Sequence, residues 1–268
     1  MQDKIEQVKE AIANKESAII AFSGGVDSAT LAALAYEVLG ERALAVTARS
    51  VAFTEHELKV AVCTAREIGI PHRVVHFDEL EEPGFAGNTR ERCYYCKKGL
   101  LRTLIGIADK DGFNVVLEGT NASEILGYRP GKRAIAEAGG RVFTPFMEFG
   151  VTKDEVRRTA RKIGLSVADR PSMACLSTRF PYGQVITRQG LKRVGAAEDY
   201  LFSMGFTQVR VRDHSDRNSI ARVEVMPSEF GKVLQERERI VSHLKQLGFD
   251  YVTLDLGGFR SGSMDEVL

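Results

Sequence analysis

The stretch SGGVDS at residues 23–28 combines residue types that can hold a phosphate. It follows an apolar run at 18–22 that is typical of a buried parallel strand, and it opens a helix-periodic pattern. Two adjacent glycines permit a tight turn. The free N–H groups at the start of a helix, with its positive dipole end, then form a cradle for phosphate or pyrophosphate. The candidate phosphate-binding residues of this loop are Ser23, Gly24, Gly25 and Ser28.

Three cysteines form a second group of reactive side chains. Cys93 and Cys96 form a C-x-x-C pair ahead of a helical pattern, and Cys175 follows a proline break about eighty positions later. A single C-x-x-C is compatible with a redox pair, half of a zinc site or coincidence. A structural zinc site needs four protein ligands, whereas three converging thiolates could hold three irons of a [4Fe-4S] cluster and leave the fourth open. Cys63 stands alone in a helix-periodic segment, where we expect a small buried hydrophobe.

The glycine loop matches neither of two common phosphate motifs. A Walker loop ends in Gly-Lys-Ser/Thr, and the dinucleotide fingerprint is G-x-G-x-x-G. The loop instead resembles the PP-loop of the N-type ATP pyrophosphatases. That resemblance implies cleavage of ATP between its α- and β-phosphates, attachment of AMP to a substrate oxygen, and pyrophosphate left in the loop. It also implies that Mg²⁺ binds near Asp27.

The elements that must position these residues alternate along the first part of the chain. Strand-like and helix-like segments follow one another at 43–48, 55–68, 72–77, 100–109 and 115–118. This rhythm predicts an α/β fold with a doubly wound parallel sheet. Because ligands bind at the carboxyl ends of the strands in such sheets, we expect Gly119 and Asn121 to line the same site as the loop.

The pattern changes near residue 170, where Pro171 follows a capped helix with Thr152 as N-cap. We therefore predict a PP-loop domain at 1–170 and a smaller C-terminal α+β domain at 171–268. Its predicted order is helix, strand, strand, helix and strand, at 191–204, 208–212, 220–225, 228–247 and 251–256. That order predicts a small antiparallel sheet.

Composition excludes several classes of partner. The formal net charge of +1 gives no general attraction to nucleic acid or to an anionic membrane. No apolar run approaches the ~20 residues of a membrane span. The charged N-terminal segment lacks the apolar stretch of a signal peptide. We expect a cytoplasmic protein that binds neither nucleic acid nor membrane, in which structural disulfides are rare.

Over essentially its whole length the chain resembles the LarE family, the ATP-dependent sulfur transferases of nickel-pincer nucleotide cofactor biosynthesis. The resemblance is carried by residues 23–28, 119–121, 128–131, 174–183 and 253–262. It implies that ATP with Mg²⁺ adenylates a carboxylate of pyridinium-3,5-biscarboxylic acid mononucleotide, which then becomes a thiocarboxylate. The partners that we expect are this small-molecule substrate, a sulfide donor and further copies of the chain in a homo-oligomer.

The resemblance implies two competing sources of sulfur. Cys175 matches the cysteine that gives up its own sulfur in the sacrificial form of the enzyme and becomes dehydroalanine. The additional Cys93 and Cys96 resemble the form in which three cysteines ligate a [4Fe-4S] cluster, and the open iron carries a sulfide that is transferred. A ligating thiolate is not free to be sacrificed, and we favour the cluster.

Further site residues follow from the resemblance. Lys97 matches a catalytic lysine, and Thr178 and Arg179 fall beside the reactive cysteine. Arg210 and Arg212 match arginines that face the substrate phosphate. Alternate residues of a strand project onto one face, and two guanidiniums suit a phosphomonoester. The remaining matched site residues are Arg129, Glu198 and Glu224.

Two other functions remain open. A PP-loop tRNA thiolase also combines this loop with cysteines and a cluster, but the chain has near-neutral charge and no recognisable RNA-binding module. A nucleotide-sensing protein could hold a redox-responsive Fe–S cluster without turnover. Pyrophosphate release with the pyridinium substrate distinguishes the enzyme from the sensor.

Overall fold

The computed structural model describes residues 3–126, 130–171, 175–215 and 218–260. The chain divides into two compact units. The first comprises the described parts of 1–82 and 91–173, and the second those of 83–90 and 174–268. Among the described helices, none is long and apolar enough to cross a membrane.

The first unit is built on a five-stranded parallel sheet. Its strands are β1 (Ala18–Ala21), β2 (Ala43–Arg49), β3 (His72–His76), β4 (Val115–Leu117) and β5 (Val142–Phe143). The order β3-β2-β1-β4-β5 places the strand before the glycine loop at the centre. Its helices are α1 (Lys4–Ala13), α2 (Val26–Leu39), α3 (Glu55–Ile68), α4 (Arg92–Asp111), α5 (Gly131–Ala138), α6 (Pro145–Glu148) and α7 (Lys153–Lys162).

Helices cover both faces of this sheet, which confirms the predicted doubly wound α/β fold. On one face, apolar side chains of α1, α2, α3 and α7 pack with Ile20 and Leu117 of the central strands. On the other face, α4 and α5 pack against Ile19, Leu44 and Val116. Strands that are buried on both faces are apolar throughout, as parallel sheets require.

The second unit contains a three-stranded sheet in the order β6-β7-β8. Its elements are α8 (Arg188–Ser203), β6 (Val209–Ser215), β7 (Ser219–Val225), α9 (Phe230–Gln235), α10 (Arg237–Gln246) and β8 (Tyr251–Leu254). β6 and β7 are antiparallel, but β7 and β8 are parallel. The prediction of an antiparallel sheet is therefore wrong for β8, because the helical crossover through α9 and α10 returns the chain in the same direction. The predicted helix at 228–247 is likewise two helices.

The segment 83–90 belongs to the second unit, although the sequence boundary leaves it in the first domain. Its backbone is bonded to the loop that precedes α8. Gly183 N–H donates to the Asn88 carbonyl at 3.0 Å, and Ile186 N–H donates to the Ala86 carbonyl at 2.8 Å. These bonds join positions nearly a hundred residues apart, which no local pattern reveals.

Candidate active site

The glycine loop forms the predicted turn between β1 and α2. Gly24 has φ +73°, a conformation that favours glycine, and a Cβ there would lie 2.6 Å from the Ala61 Cα of α3. The serines hold the loop from within. Ser28 Oγ accepts from Ser23 N–H at 3.2 Å and donates to the Gly25 carbonyl at 3.1 Å. The loop therefore has a fixed shape, with the start of α2 at its open side.

The residues after β4 lie against this loop, as the strand order predicts. A Cβ on Gly119 would be 3.2 Å from the Asp27 carbonyl carbon and 3.3 Å from the Ser28 nitrogen. Asn121 Nδ2 donates to Asp27 Oδ1 at 3.1 Å. The other oxygen of Asp27 forms an ion pair with Lys153 Nζ. Asp27, predicted to lie near Mg²⁺, is thus held between an amide and an ammonium.

Lys97 lies on α4 and pairs with Glu118 at the end of β4, with an Nζ–Oε1 distance of 2.6 Å. Burial lowers the pKa of Lys97, but attraction to the Glu118 carboxylate outweighs it, and the pKa lies above its usual value. Burial raises the pKa of Glu118, yet Lys97 and the Thr120 N–H together hold it below its usual value. The pair is therefore fully charged at neutral pH.

The C-x-x-C pair lies inside a helix rather than ahead of one. α4 begins at Arg92, so Cys93 and Cys96 are its second and fifth residues and face the same side. The apolar periodicity indicated only the later part of this helix. Cys93 is exposed and Cys96 is half-buried. A Cβ on Gly131, the first residue of α5, would lie 3.7 Å from the Cys93 carbonyl oxygen. Arg129, also predicted for this site, lies outside the described residues.

In the second unit, Cys175 begins a short turn that continues into Leu176–Arg179. Its side chain is exposed, and its Sγ lies 2.7 Å from Ser177 Oγ. The Cys175 carbonyl accepts from Thr178 Oγ1 at 2.8 Å. Thr178 Oγ1 in turn accepts from Arg179 Nη1 at 2.8 Å, and its carbonyl accepts from Arg212 Nη1 at 2.7 Å. The turn that bears the cysteine is thus bonded directly to two arginines.

Those two arginines are each neutralised by a buried glutamate. Arg179 forms a bidentate pair with Glu198, and Arg212 forms one with Glu224 at 3.0 and 3.1 Å. The four side chains are at most 2% exposed. Glu198 and Glu224, which the resemblance implies as acidic site residues, are therefore the ion-pair partners of Arg179 and Arg212.

Arg210 differs from its neighbours because, within the described ranges, no carboxylate pairs with it. Its Nη1 donates to the Arg260 carbonyl at 2.8 Å, and its guanidinium lies over the Phe259 ring at 4.3 Å. Burial, with repulsion from Arg212 and Arg179, lowers the pKa of Arg210 to about 10. It is still protonated at neutral pH. Arg210 is 7% exposed, so a buried cation is left for an anion to neutralise.

Comparison with known proteins identifies the family of the chain. The family model described as asparagine synthase matches residues 5–174. Over 259 residues the chain is 39% identical to the pyridinium-3,5-bisthiocarboxylic acid mononucleotide synthase of Lactiplantibacillus plantarum, covering 96% of this chain and 92% of that protein. The chain belongs to the LarE family of PP-loop enzymes.

Two further relatives of this LarE-family member differ in identity and in how much of the chain they match. An uncharacterized protein of Synechocystis is 42% identical over 270 residues, which cover all of this chain and 99% of that protein. The tRNA-specific 2-thiouridylase of Rickettsia africae is 29% identical, over only 60% of this chain and 53% of that protein. Similarity to the thiouridylase is thus partial, whereas the other two matches run from end to end.

Three residues that contact predicted site residues or their chain neighbours had no role predicted from the sequence. Lys153 pairs with Asp27, Phe259 lies against Arg210, and Asn88 binds the segment that follows Cys175. Two of them had a local signal: Lys153 directly follows the predicted N-cap Thr152, and Phe259 lies in the stretch 253–262 that carries the family resemblance. The expectation for Cys63 is wrong, since its side chain is exposed on α3. Across the described ranges, no three or more His, Cys, Asp or Glu side chains are grouped as a metal site.

Proposed function

We propose that this protein is an ATP-dependent sulfur transferase that adenylates a carboxylate of pyridinium-3,5-biscarboxylic acid mononucleotide and converts it to a thiocarboxylate. The observation that carries the proposal is the turn from Cys175 to Arg179, which joins an exposed thiol to a buried arginine cluster through Thr178. The full-length match to a synthase named for the bisthiocarboxylic mononucleotide supports the same reaction.

The first half of the reaction is assigned to the glycine loop. A carboxylate is a poor electrophile because oxide is a poor leaving group, and adenylation replaces oxide with AMP. The substrate carboxylate oxygen forms a bond to the α-phosphorus while the bond to the β-phosphate oxygen breaks, and pyrophosphate takes the electron pair. The N–H groups at the start of α2 are fixed dipoles that stabilise this charge without reorganising. Asp27 is the proposed magnesium ligand.

The acceptor site is assigned to the arginines of β6. Arg210 and Arg212 share one face of this strand, but Arg212 is already bidentate to Glu224. Arg210 therefore supplies the net charge for the substrate phosphate. A phosphate dianion beside Arg210 would replace water with a charge-assisted hydrogen bond, worth about 1.5–3 kcal/mol. Phe259 keeps the guanidinium in place from its other face.

The sulfur step is assigned to the three cysteines Cys93, Cys96 and Cys175. Two thiols three residues apart on one helix fit adjacent iron ligands, and the exposed Cys175 is the proposed third. When bound, a [4Fe-4S] cluster with one open iron would supply a transferable sulfide. The chain's own residues then hold the adenylated carboxylate in place for sulfur attack and AMP departure. In the alternative, the Cys175 thiolate attacks the acyl carbon and AMP leaves. Loss of the Cys175 α-proton then breaks the Cβ–Sγ bond, so that the sulfur departs as the thiocarboxylate and dehydroalanine remains.

The reaction also requires a compartment, a source of sulfide and a working form of the enzyme. Cysteines that form no disulfide among the described residues suit a reducing compartment, and we place the enzyme in the cytoplasm. A sulfide donor must regenerate the transferable sulfur if the enzyme turns over repeatedly. We propose a homo-oligomer as the working form.

The decisive experiment uses protein reconstituted anaerobically with iron and sulfide. We expect a [4Fe-4S] absorption band and repeated turnover with ATP, the pyridinium substrate and sulfide. Cys93→Ala and Cys96→Ala should abolish both signals. Cys63→Ala is the matched control, because that thiol is also exposed but lies on another helix. Loss of turnover in the control alone would contradict the assignment.

Two outcomes favour the alternatives. Dehydroalanine at position 175, in one-to-one yield with product, would establish the sacrificial route. The partial likeness to a thiouridylase makes tRNA the second candidate acceptor. A salt-sensitive gel shift with tRNA, together with pyrophosphate release that depends on tRNA, would support it. Absence of pyrophosphate release with either acceptor would favour a nucleotide sensor.

A further inference from the structure

The peptide unit that leads from β1 into the glycine loop is held by two side chains. The Phe22 N–H still donates to the Val46 carbonyl of β2 at 2.9 Å, as in a parallel ladder. The Phe22 carbonyl, in contrast, accepts from the side chain of Thr47, at 2.8 Å from its Oγ1. The N–H of the same peptide unit belongs to Ser23 and donates to Ser28 Oγ at 3.2 Å. Both polar groups of this peptide are therefore fixed in direction.

Thr47 is held in turn by His72, the first residue of β3. His72 Nε2 lies 2.8 Å from Thr47 Oγ1. A threonine hydroxyl has one proton, and the Phe22 carbonyl can only accept, so the hydroxyl proton lies in the bond to the carbonyl. The hydrogen of the other bond must then be on Nε2. The hydrogen bonds therefore run from His72 through Thr47 to Phe22, and they require the Nε2–H form of the imidazole.

The strand register places these side chains on one face of the sheet. His72 pairs with Ala45 of β2, two residues before Thr47, and alternate residues of a strand share a face. The His72 ring lies edge-on to the Phe22 ring, with centroids 5.6 Å apart. Burial lowers the pKa of His72, so the imidazole is neutral at neutral pH. Thr47 is buried as well, and a carbonyl that lost its hydroxyl partner there would be left without water to replace it.

We propose that His72 and Thr47 are positioning residues of the glycine loop, which act on ATP binding through the peptide between Phe22 and Ser23. The loop binds phosphate with backbone N–H groups, and the directions of those groups depend on how the chain enters the loop. Dipoles that are already aligned bind charge without a cost of reorientation. Neither positioning residue is proposed to touch ATP. The inference rests on the ATP binding of the proposed function, but not on which acceptor receives the AMP.

A general contribution to stability is the competing explanation, because the same bonds join β1, β2 and β3. Paired substitutions separate the two roles. Thr47→Val keeps the shape of the side chain and removes the hydroxyl, whereas Thr47→Ser keeps the hydroxyl. His72→Phe keeps a ring against Phe22 and removes the N–H, whereas His72→Gln keeps an N–H donor and removes the ring. Thr103→Val is the matched control, because Thr103 Oγ1 donates to the Gly99 carbonyl at 3.1 Å on α4, which packs on the opposite face of the sheet.

The test measures binding of a magnesium ATP analogue to the full chain by titration calorimetry. The analogue carries a methylene group between its α- and β-phosphorus atoms and is not cleaved. We expect Thr47→Val and His72→Phe each to weaken binding about 10-fold, as loss of one hydrogen bond implies, at a temperature at which melting curves show both variants folded. Thr47→Ser, His72→Gln and Thr103→Val should bind the analogue as the wild type does.

The double variant shows whether His72 acts through Thr47. Adding His72→Phe to Thr47→Val should weaken binding no further, because the hydroxyl that transmits the effect is already absent. A second measurement does not depend on ATP. The nitrogen NMR resonances of the His72 ring, identified by their absence in His72→Gln, should show the neutral Nε2–H form in weakly alkaline solution.

The inference is overturned if Thr47→Val and His72→Phe bind the analogue with unchanged affinity, if Thr103→Val loses as much, if the losses add in the double variant, or if the His72 ring carries its proton on Nδ1. Should Thr47→Val not fold, the comparison of His72→Phe with His72→Gln decides. These measurements need no acceptor. Failure of the proposed function is seen separately, as absence of pyrophosphate release when wild-type protein is mixed with ATP and the pyridinium substrate.

Discussion

Arg179 and Glu198 form a completely buried bidentate ion pair, with Nε–Oε1 and Nη2–Oε2 distances of 2.6 and 2.9 Å. The same Oε1 of Glu198 accepts from the Val211 N–H of β6 at 2.9 Å. One carboxylate on α8 therefore holds both the turn that carries Cys175 and the strand that carries Arg210. This pair therefore links the turn that carries the proposed sulfur ligand Cys175 to the proposed phosphate site.

Removing Glu198 should be strongly destabilising. Glu198→Ala would remove the bidentate carboxylate from the buried Arg179 guanidinium, and breaking a buried ion pair in this way typically costs about 3–5 kcal/mol. The apolar double variant Arg179→Met with Glu198→Leu should recover much of that stability without recovering activity, because the Cys175 turn loses its bonds. Urea unfolding followed by circular dichroism measures the first effect, and thiocarboxylate formation the second. Equal stability of the single and double variants would contradict this account.

Alanine substitutions at the two ends of α2 separate the effect of close packing at the glycine loop from the effect of backbone strain. Gly24 and Gly40, at either end of α2, have φ values of +73° and +56°. Alanine at either position is strained by about 1–3 kcal/mol. At Gly24 the added Cβ would also meet the Ala61 Cα at 2.6 Å, whereas at Gly40 nothing lies within 4 Å. Gly24→Ala should therefore lose more stability than Gly40→Ala, and it alone should lose ATP binding in calorimetry.

If Gly40→Ala weakens ATP binding as much as Gly24→Ala, the effect comes from strain in α2 and not from displacement of the loop. A melting curve for each variant separates general loss of folding from loss of the binding site.

Local signals account for what the sequence predicted well. The turn at Gly24 and the capping box at Thr152 are encoded within a few residues, and the apolar strands of the parallel sheet are continuous runs. The pairing of Lys153 with Asp27 joins residues 126 positions apart, and Phe259 meets Arg210 only through the fold of the second unit. Such contacts depend on tertiary packing and leave no periodicity in the sequence.

The direction of β8 has the same explanation. Strand propensity identified the segment, but its parallel pairing with β7 depends on how the helices α9 and α10 return the chain. The sequence also does not show which of the two β6 arginines is neutralised. Arg210 and Arg212 look alike in sequence, but only Arg212 has a glutamate partner among the described residues.

The Lys97–Glu118 pair predicts a shift in the pH dependence of activity. The lowered pKa of Glu118 means that the pair stabilises the fold at neutral pH, and that this contribution is lost as the pH falls through the Glu118 pKa. In Glu118→Gln, burial of Lys97 is no longer opposed by the carboxylate, so its pKa should fall below the usual value. If catalysis needs charged Lys97, the alkaline limb of kcat/KM should move to lower pH.

Glu137→Gln is the control for that profile. Glu137 pairs with Lys98, the residue next to Lys97 on α4, at 2.9 Å, and both side chains are exposed. Replacing Glu137 should leave the alkaline limb of the kcat/KM profile at the same pH as in the wild type. An unmoved limb in Glu118→Gln would mean that the charge of Lys97 is not what limits the reaction at high pH.

Asn88 should position the segment that follows Cys175. Its side chain is fully buried, and its Nδ2 donates to the Phe180 and Pro181 carbonyls at 3.2 and 2.7 Å. Its backbone has φ +49°, a conformation that asparagine tolerates better than most residues. Glycine at this position keeps the backbone and loses the bonds, alanine adds strain, and aspartate places a carboxylate against two carbonyls.

The free energy of unfolding in urea should therefore fall in the order Asn88→Gly, Asn88→Ala, Asn88→Asp. The glycine variant should lose about 1–3 kcal/mol for the unsatisfied carbonyls, and alanine about 1–2 kcal/mol more for its left-handed backbone. Thiocarboxylate formation should drop in all three, because the Cys175 turn is no longer held. If Asn88→Gly is as stable and as active as the wild type, the two side-chain bonds do not position the turn, and the backbone bond from Gly183 to Asn88 is sufficient.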